Sequence, residues 1–588
     1  GISFARVVFA AVKSSAPGAG LGIGGPKEEL VPDGDEDTQM GGSFFGLHTK
    51  PSIIPAPFPS RVLAERLVNL YFEYANPQIP ILHRGEFAGV IDKIYGSEEV
   101  DAMSNGANGS PLGGTHKERY LLNIVCAIGA GIFLTGPDDG DGEGHDHHEA
   151  AGRNPDGSPK VKTEGGRKSR RSPKQFEPES YHATAMVHLE AFLSQSKGGL
   201  EELQAVLLLA GYALLRPVSP GLWYIVGVAL RLAVDLGLHY EDAEAIAAKS
   251  AKKDGKRGKR QWSRELRRRL WWCVYSLDRL VSTCVGRPFG ISDEVVSTQF
   301  PSLLDDQYIH PTAGITPPPP GKELPSYKTI SHHYFRLRLL QSEILQVLQQ
   351  QSHSLAFTST SGDPRAEPAV PKPSRSDIYP PHHPYHLQTP FLRNFETVQC
   401  WHKDVDRRLK EWIDTAPQSK EQTGVSFSLE FLQLNYWQAK IMLYRPCLSV
   451  PVLLAGELGP NGNSARGRAA ERAFGGRKVS PEEEERVYLT VAEAGSKVLR
   501  LYRQLHRVHQ VNYTFLATHH LFMAGISFLY TIWHSPLVRS RLSMDDVDFT
   551  ILAATSVLGD LVDKCPPAEA CRDAFERMSR ATVQMCLA

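Results

Sequence analysis

The chain has 588 residues, of which 65 are Lys or Arg and 65 are Asp or Glu, so its formal net charge is zero. Zero net charge argues against a protein that binds nucleic acid along its whole length, because phosphate binding needs a basic surplus, although it does not exclude local basic patches. Hydrophobic residues make up 41% of the chain, and together with 50 glycines they give the apolar share of an ordinary globular protein.

The apolar residues recur mainly at helical spacing. Trp223, Val226, Leu230, Ala233 and Gly237 are separated by 3, 4, 3 and 4 residues, which indicates an amphipathic helix that buries one face. Further helices are predicted, in chain order, at about 61–76, 118–134, 182–197, 201–216, 332–350, 392–413, 427–444, 485–507, 513–533, 546–563 and 567–583. Strand-like alternation is nearly absent, so the predicted fold class is all-α, a large irregular helical domain with long disordered linkers and no substantial sheet.

Polar segments rich in Gly, Pro, Ser or charge interrupt this helical pattern. We predict an N-terminal linker at 1–58 and one domain at 59–585. Because such segments cannot bury enough apolar surface to fold, disordered insertions are predicted within the domain at 136–180, 241–260, 305–330, 352–390 and 455–485.

The eight cysteines contain no C-x-x-C pair, so no ordinary cysteine zinc site can be drawn and no cofactor is expected in this chain. Most of them lie in apolar helical patterns, which favours reduced, buried thiols in an intracellular protein. The eight positions are Cys126, Cys273, Cys284, Cys400, Cys447, Cys565, Cys571 and Cys586.

One uncharged run, from Val508 to Val538, is long enough to span a bilayer. His519 and His520 lie near its middle, where polar groups are costly in a membrane, so we predict a buried core helix and no membrane partner. Adjacent helical residues point to different faces, so this pair is interpreted as two core histidines and not as joint metal ligands.

Catalytic motifs are weak or missing in the sequence. Residues 20–25 satisfy the spacing G-x-G-x-x-G, but Pro26 and a polar acidic segment follow where a dinucleotide site needs a helix N-terminus. No P-loop, H-E-x-x-H or G-x-S-x-G motif occurs. The sequence therefore predicts no enzyme, no catalytic residue and no metal ligand.

A basic run precedes the most distinctive part of the chain. Residues 252–269 hold ten Lys or Arg against two acids, which is typical of a nuclear-import signal or a nucleic-acid patch, while a solvated charged loop is an equally good interpretation. The candidate import residues are Lys252, Lys253, Lys256, Arg257, Lys259 and Arg260.

The distinctive part is a helix predicted from near Ser263 to near Cys284, followed by a sharp stop. Gly286 can take the left-handed conformation that closes a helix, and Pro288 prevents the helix from continuing. Asp278 falls on a face with Trp and Val, where a lone carboxylate would be costly to bury. We therefore predict that Asp278 pairs with Arg287 and fixes the turn.

This stretch resembles the signature of the fungal-specific transcription factor domain, also called the middle homology region or xylanolytic-activator regulatory domain. Its matching residues are Arg269, Trp271, Trp272, Tyr275, Asp278, Arg279, Gly286, Arg287, Pro288 and Asp293. Other blocks of the chain, in the same order as in the family, resemble its helical segments: 1–6, 67–84 with Pro80 and His83, 222–239, 443–446 with Arg445 and Pro446, and 571–576.

The resemblance implies a nuclear regulator of RNA polymerase II transcription, in which a large helical domain responds to nutrients or metabolites. In the family, a six-cysteine zinc cluster reads DNA and a coiled coil dimerises, and both are expected upstream of Gly1. The implied partners are DNA through that module, co-regulators or the transcription machinery, a second copy of the chain and a small-molecule effector.

Two alternatives stay open at this point, a regulator of the same fold that lacks the zinc cluster and acts through partner proteins, and a helical enzyme. Aromatic candidates for an effector pocket are Trp223, Tyr224, Trp271, Trp272 and Tyr275, although core packing is the expected role of each.

Overall fold

The fold is described from a computed structural model that covers most of the chain beyond residue 53. The described residues are 54–101, 113–132, 177–196, 199–218, 221–242, 257–319, 321, 324–360, 390–392, 394–395, 397–448, 481–508, 510 and 513–587. The basic residues Lys252, Lys253 and Lys256, most of the predicted linker 1–58 and the greater part of four of the predicted insertions lie outside them.

The described residues form sixteen α-helices, and the all-α prediction is confirmed. The helices are α1 (Arg61–Leu70), α2 (Arg84–Asp101), α3 (His116–Gly131), α4 (Pro178–Gln195), α5 (Leu200–Leu215), α6 (Leu222–Asp235), α7 (Arg257–Val285), α8 (Lys328–Thr360), α9 (Val398–Asp414), α10 (Lys420–Thr423), α11 (Glu430–Tyr444), α12 (Pro481–Arg507), α13 (Thr514–His534), α14 (Pro536–Arg541), α15 (Met544–Leu561) and α16 (Pro567–Leu587). The strands of this part are β1 (Ile309–His310) and β2 (Gly314–Ile315), which form one antiparallel pair.

Helix α3 illustrates how local sequence sets these elements. Thr115 caps its N-terminus in a capping box, because the Thr115 side chain accepts from the Glu118 backbone and the Glu118 side chain accepts from the Thr115 backbone. Gly129 lets α3 approach α1 closely, since a Cβ there would lie 2.1 Å from the Leu67 carbonyl oxygen. The sequence of α3 thus specifies both its start and its contact with α1.

Two hydrophobic cores organise the molecule. The N-terminal core is built from α1 to α7 and receives Phe335 from α8 and Leu516 from α13. The C-terminal core is built from α8, α9 and α11 to α16. Helix α13 packs on α12 and α16 in the C-terminal core and on α5 in the N-terminal core, so it joins the two.

Helix α13 also lies within the uncharged run that raised the question of a membrane span. Among the described residues it is the one helix long and apolar enough for a span, and 78% of its apolar window is buried inside the fold. Burial by neighbouring helices agrees with the predicted core helix.

Two features of the central region differ from the sequence predictions. Helix α7 begins at Arg257, not near Ser263, because β1, β2 and their turn pack on its first turns and Gln261 Oε1 accepts from the Ile315 backbone at 3.3 Å. The described residues of the 305–330 segment, predicted to be disordered, carry a 3₁₀ turn, both strands and the start of α8. Asp306 is only 3% exposed there, so this part belongs to the folded core.

Candidate functional site

The signature residues of α7 reach into two buried ionic networks, one at each half of the helix. The first network surrounds Asp306, at the start of the 3₁₀ turn Asp306–Tyr308. Arg269 of α7 forms an ion pair with Asp306, and Lys328 at the start of α8 lies 3.2 Å from it. The Tyr327 hydroxyl donates to the same carboxylate at 2.9 Å.

This network also fixes the segment that contains Pro80 and His83. Arg269 donates from Nη1 to the Leu82 carbonyl at 3.1 Å, and His83 Nε2 lies 2.9 Å from the Asp306 carbonyl oxygen. Pro80, which precedes Leu82 and His83 in the sequence, is also buried. The network therefore joins His83 to Asp306, although more than two hundred residues separate them in the chain.

Burial and charge shift the ionisation of these groups in opposite directions. The cations Arg269 and Lys328 hold the pKa of Asp306 well below its usual range, although burial alone would raise it. Burial, with the neighbouring Arg269, lowers the pKa of Lys328 to about 8, and burial lowers that of His83 to about 4. Asp306 is thus ionised at neutral pH and His83 is neutral.

The second network is centred on Arg279, whose side chain is fully buried. Its guanidinium donates to Asp278 at 2.9 Å, and to Asp293 and the Ile291 carbonyl at 2.7 Å each. The Tyr275 hydroxyl also donates to Asp293 at 2.7 Å. These bonds tie the loop after α7 back onto the helix.

Two further groups complete this second network. The Arg279 guanidinium carbon lies 3.9 Å from the centre of the Tyr275 ring and 4.4 Å from that of Phe289, an arrangement that favours a cation between two aromatic faces. Ser342 of α8 donates to Asp293 at 2.6 Å. Because Arg279 and Asp293 form hydrogen bonds to α7, its loop and α8 at once, the arrangement is suited to holding these three elements together.

The predicted pair between Asp278 and Arg287 is wrong. Asp278 accepts from Arg279 and, at 3.3 Å, from the Gly290 backbone, whereas Arg287 is exposed with its guanidinium carbon 4.4 Å from the Trp223 ring centre. Arg287 points outward because the helix closes as expected at Gly286, where φ is +67°, and the chain turns away. Pro288 is exposed beyond this turn.

Alanine at Arg287 should therefore lower stability by less than about 1 kcal/mol, the value of an exposed cation–π contact. Alanine at Asp278 should cost about 2–3 kcal/mol, because it leaves the fully buried Arg279 guanidinium without one of its two carboxylate partners. Urea unfolding of Asp278→Ala, Arg287→Ala and the double variant measures the two stability changes and their sum. The two effects should add to within about 0.5 kcal/mol, and a larger coupling would contradict the assignment.

The aromatic residues divide between core and surface. Trp271, Trp272 and Tyr275 are buried, as expected, and Trp272 donates from Nε1 to the Gln299 carbonyl at 3.0 Å. Trp223 and Tyr224, for which core packing was expected, are 48% and 56% exposed because they lie on the outer face of α6. The aromatic candidates therefore do not converge on one pocket.

The remaining predicted residues lie apart from both networks. Arg445 and Pro446 form a 3₁₀ turn after α11, and burial lowers the pKa of Arg445 to about 10. Arg257, Lys259 and Arg260 lie in the first turns of α7.

A cavity lies where the two cores meet, and none of the predicted site residues lines it. Its wall includes Arg338 of α8, Asn435 and Gln438 of α11, Tyr502 of α12 and His520 of α13. The volume of the cavity is about 30 Å³. The sequence signal for this site was weak, because the five side chains come from four helices.

His520 and its neighbours differ from the sequence interpretation. Ring nitrogens of His519 and His520 and the Cys284 sulfur all lie within 4.8 Å of one another, so the two adjacent histidines do converge. His520 is 3.6 Å from Cys284 Sγ and 3.0 Å from the Tyr502 hydroxyl. Burial raises the pKa of the Cys284 thiol to about 12 and lowers that of His519 to about 4.

Comparison with known proteins identifies the family of the chain. Residues 68–414, more than half of the chain, match the model of the fungal specific transcription factor domain. The chain belongs to this family. The ionic networks of α7, its loop and α8 lie within the matched range.

Curated relatives of this family member are regulators by name, and one of the three below is named as a transcriptional activator. The chain is 53% identical to a positive regulator of purine utilization from Emericella nidulans, over all of this chain and 53% of that protein. It is 24% identical to pyrimidine pathway regulatory protein 1 of Saccharomyces cerevisiae, over all of this chain and 58% of that protein. It is 23% identical to the transcriptional activator protein acu-15 of Neurospora crassa, over 73% of this chain and 35% of that protein. The chain thus spans about half the length of the first two relatives.

Proposed function

We propose that these 588 residues form the regulatory and effector region of a fungal transcription factor whose output depends on a nutrient or metabolite. The observation that carries the proposal is the 53% identity, along the whole chain, with a protein named as a regulator of purine utilization. A second relative is named for the pyrimidine pathway, which supports a response to nitrogen-containing metabolites. The names of these relatives favour a regulatory function over a catalytic one.

In this proposal, the signature residues have a structural role, which is to hold α7, its loop and α8 in one arrangement. DNA is bound by a zinc-cluster module outside these residues, as in the family, and the helical domain passes its state to co-regulators or to the transcription machinery. Dimerisation and nuclear action belong to the same proposal, with the basic run before α7 as the candidate import signal.

A fusion of the chain to an unrelated DNA-binding domain tests the regulatory role. Transcription of a reporter that carries that domain's site should differ between fungal cells grown on a purine and on ammonium as nitrogen source. The DNA-binding domain alone is the control and should show no such difference. An unchanged reporter with a stably expressed fusion would contradict the proposal.

The location of the DNA-reading function is tested separately. The purified chain should bind DNA without sequence preference or not at all, because its net charge is zero and no cysteine zinc site can be drawn in it. Footprinting of the chain on the promoters that respond in cells is the measurement. Sequence-specific protection by this chain alone would show that the DNA-reading residues lie within it.

A further inference from the structure

The cavity between the two cores contains a buried positive charge that no carboxylate neutralises. Arg338 is 2% exposed, and no described Asp or Glu forms a salt bridge with it. Its Nη1 donates to Gln341 on the same helix, while Nε has no hydrogen-bond partner among the described residues. Arg269 and Arg279 differ from Arg338 in this respect, because each of them forms an ion pair with an Asp side chain.

The described residues that line the cavity include neither Asp nor Glu, and most of the lining surface is apolar. Three amide side chains, Gln78, Asn435 and Gln438, line the cavity. The Arg338 guanidinium stays charged at neutral pH, since burial lowers its pKa only to about 10. A buried cation without a carboxylate partner is costly to stability, so its presence in the cavity calls for an absent partner.

We propose that this cavity binds a small organic anion, whose charged group accepts hydrogen bonds from Arg338 and whose polar edge contacts the amides of α11. The available space fits the two oxygens of a carboxylate, because each water-sized group needs about 10–15 Å³ of such volume. The side chains of Tyr502 and Tyr513 line the same cavity. The inference rests on the proposed function, for which this anion is the effector.

A metal ion at Cys284, His519 and His520 is the competing interpretation of the same region. Burial raises the pKa of Cys284, and the nearby positive charge of Arg338 opposes that rise. Arg338 also contributes to lowering the pKa of His520, and Arg445 to lowering that of His519, in both cases in addition to burial. Two cations beside the three ligands disfavour a further positive charge and favour a negative one. The electrostatics therefore assign an anion to the cavity.

The position of the cavity explains how binding can change the protein's state. Its wall takes Gln78 and Leu280 from the N-terminal half, and α11, α12 and α13 from the C-terminal half. A ligand there contacts both halves at once, so it binds one packing of the two cores better than another. Such a difference in affinity is the requirement for a ligand to shift a conformational equilibrium.

The first test needs no ligand and uses the purified 588-residue chain. Arg338→Met replaces the buried cation with an apolar side chain of similar length and should raise Tm, because the unpaired charge is removed. Arg336→Met, at an exposed position on the same helix, is the matched control and should leave Tm unchanged. A Tm lowered by Arg338→Met would overturn the inference, since a merely structural arginine would behave in that way.

The second test uses the smallest carboxylates with their neutral amides as matched probes. Formate and acetate are compared with formamide and acetamide at millimolar concentration. At least one carboxylate should raise Tm of the wild type and of Arg336→Met by roughly 1–3 °C and should leave Arg338→Met unchanged. The inference fails if no carboxylate does so, if the amides act equally, or if zinc ions alone stabilise the wild type.

These binding tests are independent of the proposed function. In the reporter fusion, Arg338→Met should abolish the response to the purine nitrogen source and Arg336→Met should retain it. If the wild-type fusion gives no response while the purified chain binds a carboxylate through Arg338, the transcriptional proposal fails and the anion site stands. If the reporter responds but Arg338→Met does not alter the response, the anion site is not the effector site.

Discussion

Replacing Asp306 with Asn should lower the free energy of unfolding by about 3–5 kcal/mol. The change removes the only carboxylate that pairs with both Arg269 and Lys328 among the described residues, and these cations are 4% and 1% exposed. A buried charge that loses its partner costs that much because the surrounding protein cannot replace water. Urea unfolding followed by circular dichroism measures the loss.

Two comparisons make the Asp306 prediction specific. Asp548→Asn, at an exposed position on α15, should change stability by less than about 0.5 kcal/mol. Lys328→Met should cost less in the Asp306→Asn background than in the wild type, because it then removes an unpaired cation. Wild-type stability in Asp306→Asn would show that the network does not hold the 3₁₀ turn to α7 and α8.

The helical fold could be predicted because apolar residues repeat at helical spacing over long stretches. The start of α7 could not, because residues 257–262 hold Arg, Gly, Lys, Arg, Gln and Trp, without a periodic apolar face. Long-range packing determines where α7 begins. A Cβ on Gly258 would lie 2.1 Å from the Thr312 carbonyl oxygen, so the hairpin turn packs directly against the helix. Such contacts have no signal within a local window of sequence.

The family signature could be located from sequence, but the partners of its charges could not. Asp278 and Arg287 were paired because both flank the same turn, whereas Asp278 contacts its own neighbour Arg279. Asp306 and Lys328 were missed because they lie in a Pro-rich segment whose composition indicates disorder. Their burial depends on α7 and α2, which approach them only in the folded protein.

The cavity was missed for a similar reason. Arg338 lies on α8 only two residues from the exposed Arg336, and nothing in the local pattern distinguishes a buried arginine from a solvated one. The amides of α11 come about one hundred residues later. Only the packing of both cores brings these groups together. A site of this kind is therefore identified from the buried side chains and unsatisfied hydrogen-bond donors of the folded protein.

Acid should destabilise the domain steeply as the pH falls from about 7 to 5. Burial lowers the pKa of six histidines to about 4 in the folded state, and burial also lowers that of His520. The six are His83, His182, His332, His333, His402 and His519. The unfolded chain takes up these protons near pH 6.5 and the folded protein does not, so the unfolded state gains stability as the pH falls.

The sign and size of this acid effect can be measured directly. Each buried histidine contributes up to about 2 kcal/mol at pH 5, so Tm should fall by roughly 10 °C or more between pH 7.5 and pH 5. His402→Gln removes one such group and should reduce the number of protons taken up on unfolding near pH 6, whereas the exposed His310→Gln should not. A Tm that stays constant over this range would contradict the buried, neutral state of these imidazoles. Above about pH 7.5 these groups are neutral in both states, so their contribution to the pH dependence should vanish there.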